Sequence, residues 1–337
     1  MSQSRSRILV LPRPKLYQEL FGPDDDHLLR SLGEVVLHES ESGPSAEELA
    51  ANIGGFDIVV TGWGSPVFTD EVVKAATDLK LLTHTAGSIK HMFPPVLFER
   101  GIKITHAAPA IAGAVAEWAL LLILTMLQRP HLHDRNLRDG VWDKGVPPVR
   151  RELVGQRVGL VAASYTGRSL AKLLRGIGTE VWIADPYLEN AEALDLGVQK
   201  VGLDQLFSEC RIVSLHAPIT PETHKMIGAR ELALLEDGAL FVNTARSWLV
   251  DELALIAELQ SGRINAALDV FDNEPLPGDN PFRDLSKANV LLTPHMAAHT
   301  VEARRRQGTH MVAEIQRYLA GESLLYEVKQ ENLVTMA

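Results

Sequence analysis

Short β-branched apolar runs alternate along this chain with stretches in which apolar residues recur every three to four positions, the pattern of parallel βα units. In the first half the runs are Arg7 to Leu11, Glu34 to Leu37, Asp57 to Thr61, Leu79 to Thr83 and Ile102 to Thr105. They predict strands, with helices between them. Ser45 followed by Glu48 marks one helix start, because the pair supplies acceptors to N–H groups left unpaired in a first turn. A second series predicts strands over Arg157 to Val161, Glu180 to Ala184, Arg211 to Leu215, Ala239 to Asn243, Ala266 to Val270 and Val290 to Thr293. Such a six-stranded set suits a dinucleotide-binding sheet. Leu170, Leu173, Leu174 and Ile177 share the i, i+3, i+4, i+7 spacing of one buried helical face, and Gly178 offers a left-handed cap.

Between the two series the spacing predicts a helix from about Ala114 to Leu127. Its apolar run, Trp118 to Leu127, is about half of a membrane span, so a buried helix is expected. The polar, proline-bearing stretch Arg129 to Arg151 has no period and is expected to be the crossing between domains. A last helix, Val301 to Leu319, follows the final strand. The expected architecture is α/β with two Rossmann- or flavodoxin-like parallel-sheet domains. Residues 1–113 plus 300–337 form the first, and 114–299 form a doubly wound domain inserted into it.

Length agrees with two domains, since 337 residues exceed the size at which one core keeps growing. Hydrophobic residues make up 46% and charged residues 23%, which excludes disorder as the main reading. A net charge of -10 disfavours nucleic acid, whose binding needs a basic surface, and Arg304, Arg305 and Arg306 read as a solvated helix face. Met1 to Arg7 is polar and lacks the apolar core of a signal peptide, so the expected location is the cytoplasm. Cys210, the single cysteine, excludes an internal disulfide. His131 and His133 have no companions at metal-ligand spacing, and no metal is expected.

After the strand ending at Val161 the chain continues Ala162, Ala163, Ser164, Tyr165, Thr166, Gly167 and then a helical pattern. Ala162, Ser164 and Gly167 stand at the positions that are glycines in a pyrophosphate-binding turn. Alanine at the first is expected to perturb little. Serine at the second puts a side chain where the phosphates approach, and predicts weakened dinucleotide affinity. Asp185 ends the next strand 18 residues past Gly167, the place of the acid that binds the ribose hydroxyls of NAD and repels the 2′-phosphate of NADP.

Arg246, Glu274 and His295 each follow a predicted strand of the second series, and loops at the carboxyl ends of parallel strands converge on one crevice. The blocks around them are Phe241-Val242-Asn243-Thr244-Ala245-Arg246, Ala267-Leu268-Asp269-Val270-Phe271-Asp272-Asn273-Glu274-Pro275 and Leu292-Thr293-Pro294-His295. With Ser214-Leu215-His216-Ala217-Pro218 and Ala114-Val115-Ala116-Glu117-Trp118, the chain resembles the D-isomer-specific 2-hydroxyacid dehydrogenases from about Leu79 onward.

The resemblance implies an NAD-dependent oxidoreductase that moves a hydride between NAD and a small 2-oxo or D-2-hydroxy acid. His295 is then the general acid and base, Glu274 its hydrogen-bonding carboxylate, and Arg246 the fork that holds the substrate carboxylate. Gly87 and Ser88 are implied to bind the same carboxylate through backbone N–H groups. Ser164, Tyr165, Thr166, Gly167, Asp185, His216, Ala217, Pro218, Thr244, Ala245, Asp269 and His295 are implied to line the cofactor. His106, Trp248 and His299 stand where the family commonly has asparagine, glycine and a small residue, which bears on substrate choice. A homodimer is implied, contacting through the Arg129 to Arg151 stretch and the linking helix. Two other readings are a formate or phosphite dehydrogenase, and an NAD-binding regulatory scaffold with this fold and little turnover.

Overall fold

The computed structural model describes residues 5–142, 149–334 and 336. The chain forms two compact units, residues 1–111 with 299–337, and residues 112–298. In the first are β1 (Arg7–Val10), β2 (Glu34–Leu37), β3 (Ile58–Thr61), β4 (Leu81–His84) and β5 (Lys103–His106). In the second are β6 (Arg157–Val161), β7 (Glu180–Ala184), β8 (Gln199–Lys200), β9 (Ile212–Leu215), β10 (Leu240–Asn243), β11 (Asn265–Leu268) and β12 (Val290–Leu292). A two-residue strand, β13 (Glu327–Val328), adds antiparallel to β5.

The first sheet runs β13-β5-β4-β3-β1-β2, a flavodoxin-type order apart from its edge. The second runs β12-β11-β10-β9-β6-β7-β8, the dinucleotide-binding order with one extra strand. All its pairings are parallel. β9, β10 and β11 are buried at every position, as parallel strands covered on both faces must be. Successive side chains point to opposite faces. Val213, Leu215, Phe241, Ala266 and Leu268 pack into one layer, and Ile212, Leu240, Val242 and Ala267 into the other.

The helix Ala108–Gln128 starts six residues before the predicted Ala114 and holds 21 residues. By length and composition it is apolar enough to cross a membrane, contrary to the shorter run read from sequence, but half of its apolar window is buried. Ala116, Ala119, Leu122, Ile123 and Met126 fill the second core beside Val158 and Leu160.

Arg129 to Arg151 is not the crossing. The unit boundaries fall at 111/112 and 298/299, so the described residues of this stretch belong to the second unit. It opens with a helix, Pro130–Arg138, begun by a proline whose fixed φ suits a first turn. Residues 143–148 of this stretch, and residues 1–4 of the N-terminal segment read above, lie outside the described residues.

Candidate active site

Register aligns the site. Val161 pairs with Ala184 and Leu215, Leu215 with Asn243, Asn243 with Leu268, and Leu268 with Leu292. The residues that follow, Ala162, Asp185, His216, Thr244, Asp269 and Thr293, therefore stand in one row along the C-terminal edge of the second sheet. The topological switch lies at β6, which has β7 on one side and β9 on the other.

Ser164 is the N-cap of the helix Tyr165–Ile177, and its Oγ accepts a hydrogen bond from the Gly167 N–H at 3.3 Å. Gly167 cannot be larger, because a Cβ there would lie 2.3 Å from the Ala162 carbonyl oxygen. Ala162 itself has φ +80°, in the left-handed region. The expectation that alanine perturbs little here is corrected: a Cβ in that conformation costs about 1–2 kcal/mol. The Asp185 carboxylate accepts from Ala163 N–H at 2.7 Å and Tyr187 N–H at 2.8 Å, tying the turn after β6 to the turn after β7. It borders a cavity of about 640 Å³ that also meets Pro186, Lys200, Val201 and Met226.

Two buried atoms near this row have no protein partner, Thr244 Oγ1 and His216 Nδ1. Buried polar atoms are normally satisfied, so these orphans, with a turn cleared of side-chain bulk at Gly167, fit a dinucleotide laid along the sheet edge. Burial pushes His216 down to about 3, so its ring is neutral, and Nε2 meets Ser214 Oγ at 3.0 Å. Ala217 is buried and Tyr165 exposed.

His295 Nδ1 lies 2.7 Å from Glu274 Oε2, and the other carboxylate oxygen accepts from Phe271 N–H at 3.0 Å. The pair stays open to solvent, with side chains 48% and 35% exposed. Arg246 is oriented by its own loop: Asn243 accepts from Ala245 N–H and donates to the Arg246 carbonyl, while the guanidinium donates to the Ala245 carbonyl at 2.6 Å. Burial lowers the Arg246 pKa from its ordinary value, and the nearby Glu274 charge opposes that shift. Arginine, carboxylate and imidazole are thus brought together at the ends of β10, β11 and β12.

Asp269, expected along the cofactor path and in support of the Arg246, Glu274 and His295 network, follows β11. It is fully buried, and its oxygens accept from Thr293 Oγ1 at 2.5 Å and from the N–H groups of Met296 and Ala297, each at 3.1 Å. These contacts fasten the loop that bears His295. Thr293 is the residue that sequence reasoning missed, and its only signal was a hydroxyl at a strand end beside an acid.

Gly87 and Ser88 lie in the other unit, half-buried in the turn after β4, where His106 Nδ1 donates to the Gly87 carbonyl at 3.1 Å. In the same unit the rings of Trp63 and His299 are 6.4 Å apart, and Arg304 stacks on Trp63 at 3.9 Å. Trp248 is 52% exposed and meets His224 edge-on.

This combination of a doubly wound sheet, a phosphate-type turn and a polar trio at strand ends defines a nicotinamide-dinucleotide oxidoreductase. The family described as "D-isomer specific 2-hydroxyacid dehydrogenase, NAD binding domain" matches residues 120–297. A glyoxylate reductase of Thermofilum pendens is 34% identical over 330 residues, covering 93% of each chain. A D-3-phosphoglycerate dehydrogenase of Methanocaldococcus jannaschii is 33% identical over 92% of this chain, which spans only 57% of that relative. The crystal structure of the TT0316 protein from Thermus thermophilus superposes with a TM-score of 0.80 at 30% identity, covering 96% of this chain and all of that one. The chain belongs to the D-isomer-specific 2-hydroxyacid dehydrogenase family, whose cofactor is NAD and whose substrates are 2-hydroxy and 2-oxo acids.

Proposed function

We propose that this protein reduces a small 2-oxo acid to the D-2-hydroxy acid, with His295 as the proton donor. The observation that carries the reading is the 2.7 Å contact between His295 Nδ1 and Glu274, with Arg246 close enough to Glu274 to feel its charge. Glu274 fixes the ring through Nδ1, which leaves Nε2 for the substrate oxygen. The planar cation of Arg246 pairs with the substrate carboxylate and polarises the carbonyl. NAD supplies the hydride when bound. Ser164, Tyr165, Thr166 and Gly167 would meet its pyrophosphate, Asp185 its ribose, and His216, Ala217, Pro218, Thr244 and Ala245 the path along the sheet edge.

Gly87 and Ser88 would offer N–H groups to the substrate. Exposed Leu137, Trp142 and Val149 support a homodimer contact in this region. The relatives' substrates, glyoxylate and 3-phosphoglycerate, set the panel to assay, with hydroxypyruvate and longer 2-oxo acids beside them.

The test follows NADH absorbance over that panel. Turnover should appear with at least one small 2-oxo acid and fall by about 10²–10⁴ in His295→Ala, the usual range for a general acid. NADH binding without turnover on any acid, unchanged in His295→Ala, would favour the regulatory scaffold instead. NADPH in place of NADH should bind more weakly, because Asp185 meets the 2′-phosphate.

A further inference from the structure

At the opposite edge of the second sheet the first residues of β9, β10 and β11 stand abreast, Ile212 paired with Leu240 and Leu240 with Asn265. A cavity of about 230 Å³ opens there. Four-residue strands at about 3.3 Å per residue put roughly 13 Å between this edge and the row that carries His216 and Thr244. Met126, Ile212 and Leu240 give the cavity apolar walls, and Arg129, Arg151 and Arg211 give it charge.

Arg129 is the unusual member. It is 3% exposed, and its guanidinium donates to Asn265 Oδ1 at 2.9 Å and to Met126 Sδ at 3.2 Å. Neither acceptor is charged. Among the described residues no carboxylate pairs with it, and burial alone lowers its pKa to about 10. Arg211 is already paired, with Glu236 at 2.5 Å, and Arg151 is exposed. An unpaired buried cation is costly, and one partner removed from such a pair leaves the other strongly destabilising. The Arg129 φ of +58° is the left-handed cap that ends the helix Ala108–Gln128, with the Arg129 N–H bonded to the Thr125 carbonyl at 2.8 Å. Among the described residues, a buried guanidinium with only neutral acceptors, lining a cavity, marks a place where an anion belongs.

We propose that this cavity is a second binding site, separate from the active site, for a small aliphatic monocarboxylate. The Arg129 fork takes the carboxylate, which matches its planar geometry, and Met126, Ile212 and Leu240 cover the alkyl body. Those walls disfavour a bare oxyanion, which would lose its water without gaining partners on the apolar side. The volume of about 230 Å³ equals that of about eight liquid waters at ~30 Å³ each, room for an acid of about six heavy atoms.

Calorimetric titration of the full-length protein with sodium butanoate tests this, with inorganic phosphate and butan-1-ol in parallel. The Arg246→Gln variant removes the active-site anchor, so that any remaining carboxylate binding is not at that anchor. Butanoate is expected to bind once per chain in Arg246→Gln, and at least tenfold more weakly when Arg129→Met or Arg129→Lys is added to that variant. Phosphate and butanol should each bind at least tenfold more weakly than butanoate. If Arg129→Met is unfolded by circular dichroism, Arg129→Lys decides, since it keeps the charge and loses the fork. Absence of saturable binding in Arg246→Gln, binding indifferent to both Arg129 variants, or phosphate binding as tightly as butanoate would each overturn the proposal. So would weaker self-association of Arg129→Met in sedimentation without butanoate binding to Arg246→Gln, because a carboxylate of a second copy would then fill the cavity.

Discussion

Adding one methyl group at Gly167 probes the dinucleotide turn directly. A Cβ at that position lies 2.3 Å from the Ala162 carbonyl oxygen, 3.3 Å from its carbon and 3.6 Å from His216 Cβ. Real contacts stay beyond 3.0 Å, so something must move by at least 0.7 Å, and the nearest atom is backbone. That backbone is already at φ +80° and is followed by Ala163, whose N–H is held by Asp185 at 2.7 Å. The strain cannot relax into a flexible side chain. Overpacking of this kind costs about 1–3 kcal/mol, and distortion of the turn passes a similar loss to any ligand resting on it. With 1.4 kcal/mol per tenfold, NADH affinity in Gly167→Ala should fall by roughly 5- to 150-fold. Fluorescence titration of NADH measures this, with a thermal melt to show the variant folded. An affinity within twofold of wild type, in a folded variant, would refute the claim that this turn carries the pyrophosphate.

Ala162→Gly should relieve the left-handed strain by about 1 kcal/mol, seen as a melting temperature higher by about 2–4 °C; an unchanged melt would mean the turn is not strained. Ser164→Gly frees the Gly167 N–H from its cap at a cost of a few tenths of a kcal/mol and should tighten NADH binding, whereas weaker binding would make the hydroxyl a ligand. Glu274→Gln keeps the shape beside His295 and removes the charge, so kcat should drop at least tenfold while the NADH dissociation constant holds; equal losses in both would mean a structural role. Burial lowers the His84 and His216 pKa values from 6.5 to about 3. As pH falls below 6.5 the unfolded chain therefore takes up the protons first, and stability present above that pH is lost progressively toward pH 3. The slope is about 1.4 kcal/mol per pH unit for each ring, and urea midpoints that stay level between pH 7 and pH 5 would contradict it.

The strands were legible because a parallel sheet buried on both faces writes itself as continuous apolar runs, as at Ile212–Leu215 and Leu240–Asn243. β8 and β13 were not legible, being two residues each, with Gln199 and Lys200 exposed and no apolar period to read. The helix start at Ala108 was hidden by Pro109, which reads as a breaker but fits a first helical turn. The helix Pro130–Arg138 was hidden for another reason: it buries Leu132 and little else, so its face leaves no stripe. Arg246, Glu274 and His295 could be picked out because each lies a few residues past the end of an apolar strand. That Asp269 supports these three by holding the backbone on either side of His295 could not be read, since an acid at a strand end looks the same whether it faces a ligand or its own loop.

That duty bears on how the proposed acid is kept in place. His295 has φ +48°, a conformation that non-glycine residues hold only when their surroundings force it. The forcing group is Asp269, since its three acceptor contacts come from Thr293, two residues before His295, and from Met296 and Ala297 just after it. The strained residue is clamped on both flanks by one fully buried carboxylate, and its ring is then turned by a second, Glu274. Two acids thus divide the work that one could not do: a buried acid cannot reach the solvent-open ring, and an exposed acid would not hold the backbone against its own strain. Exchange of Asp269 for asparagine would replace one acceptor by a donor facing N–H groups, freeing the loop before it touched the chemistry of His295.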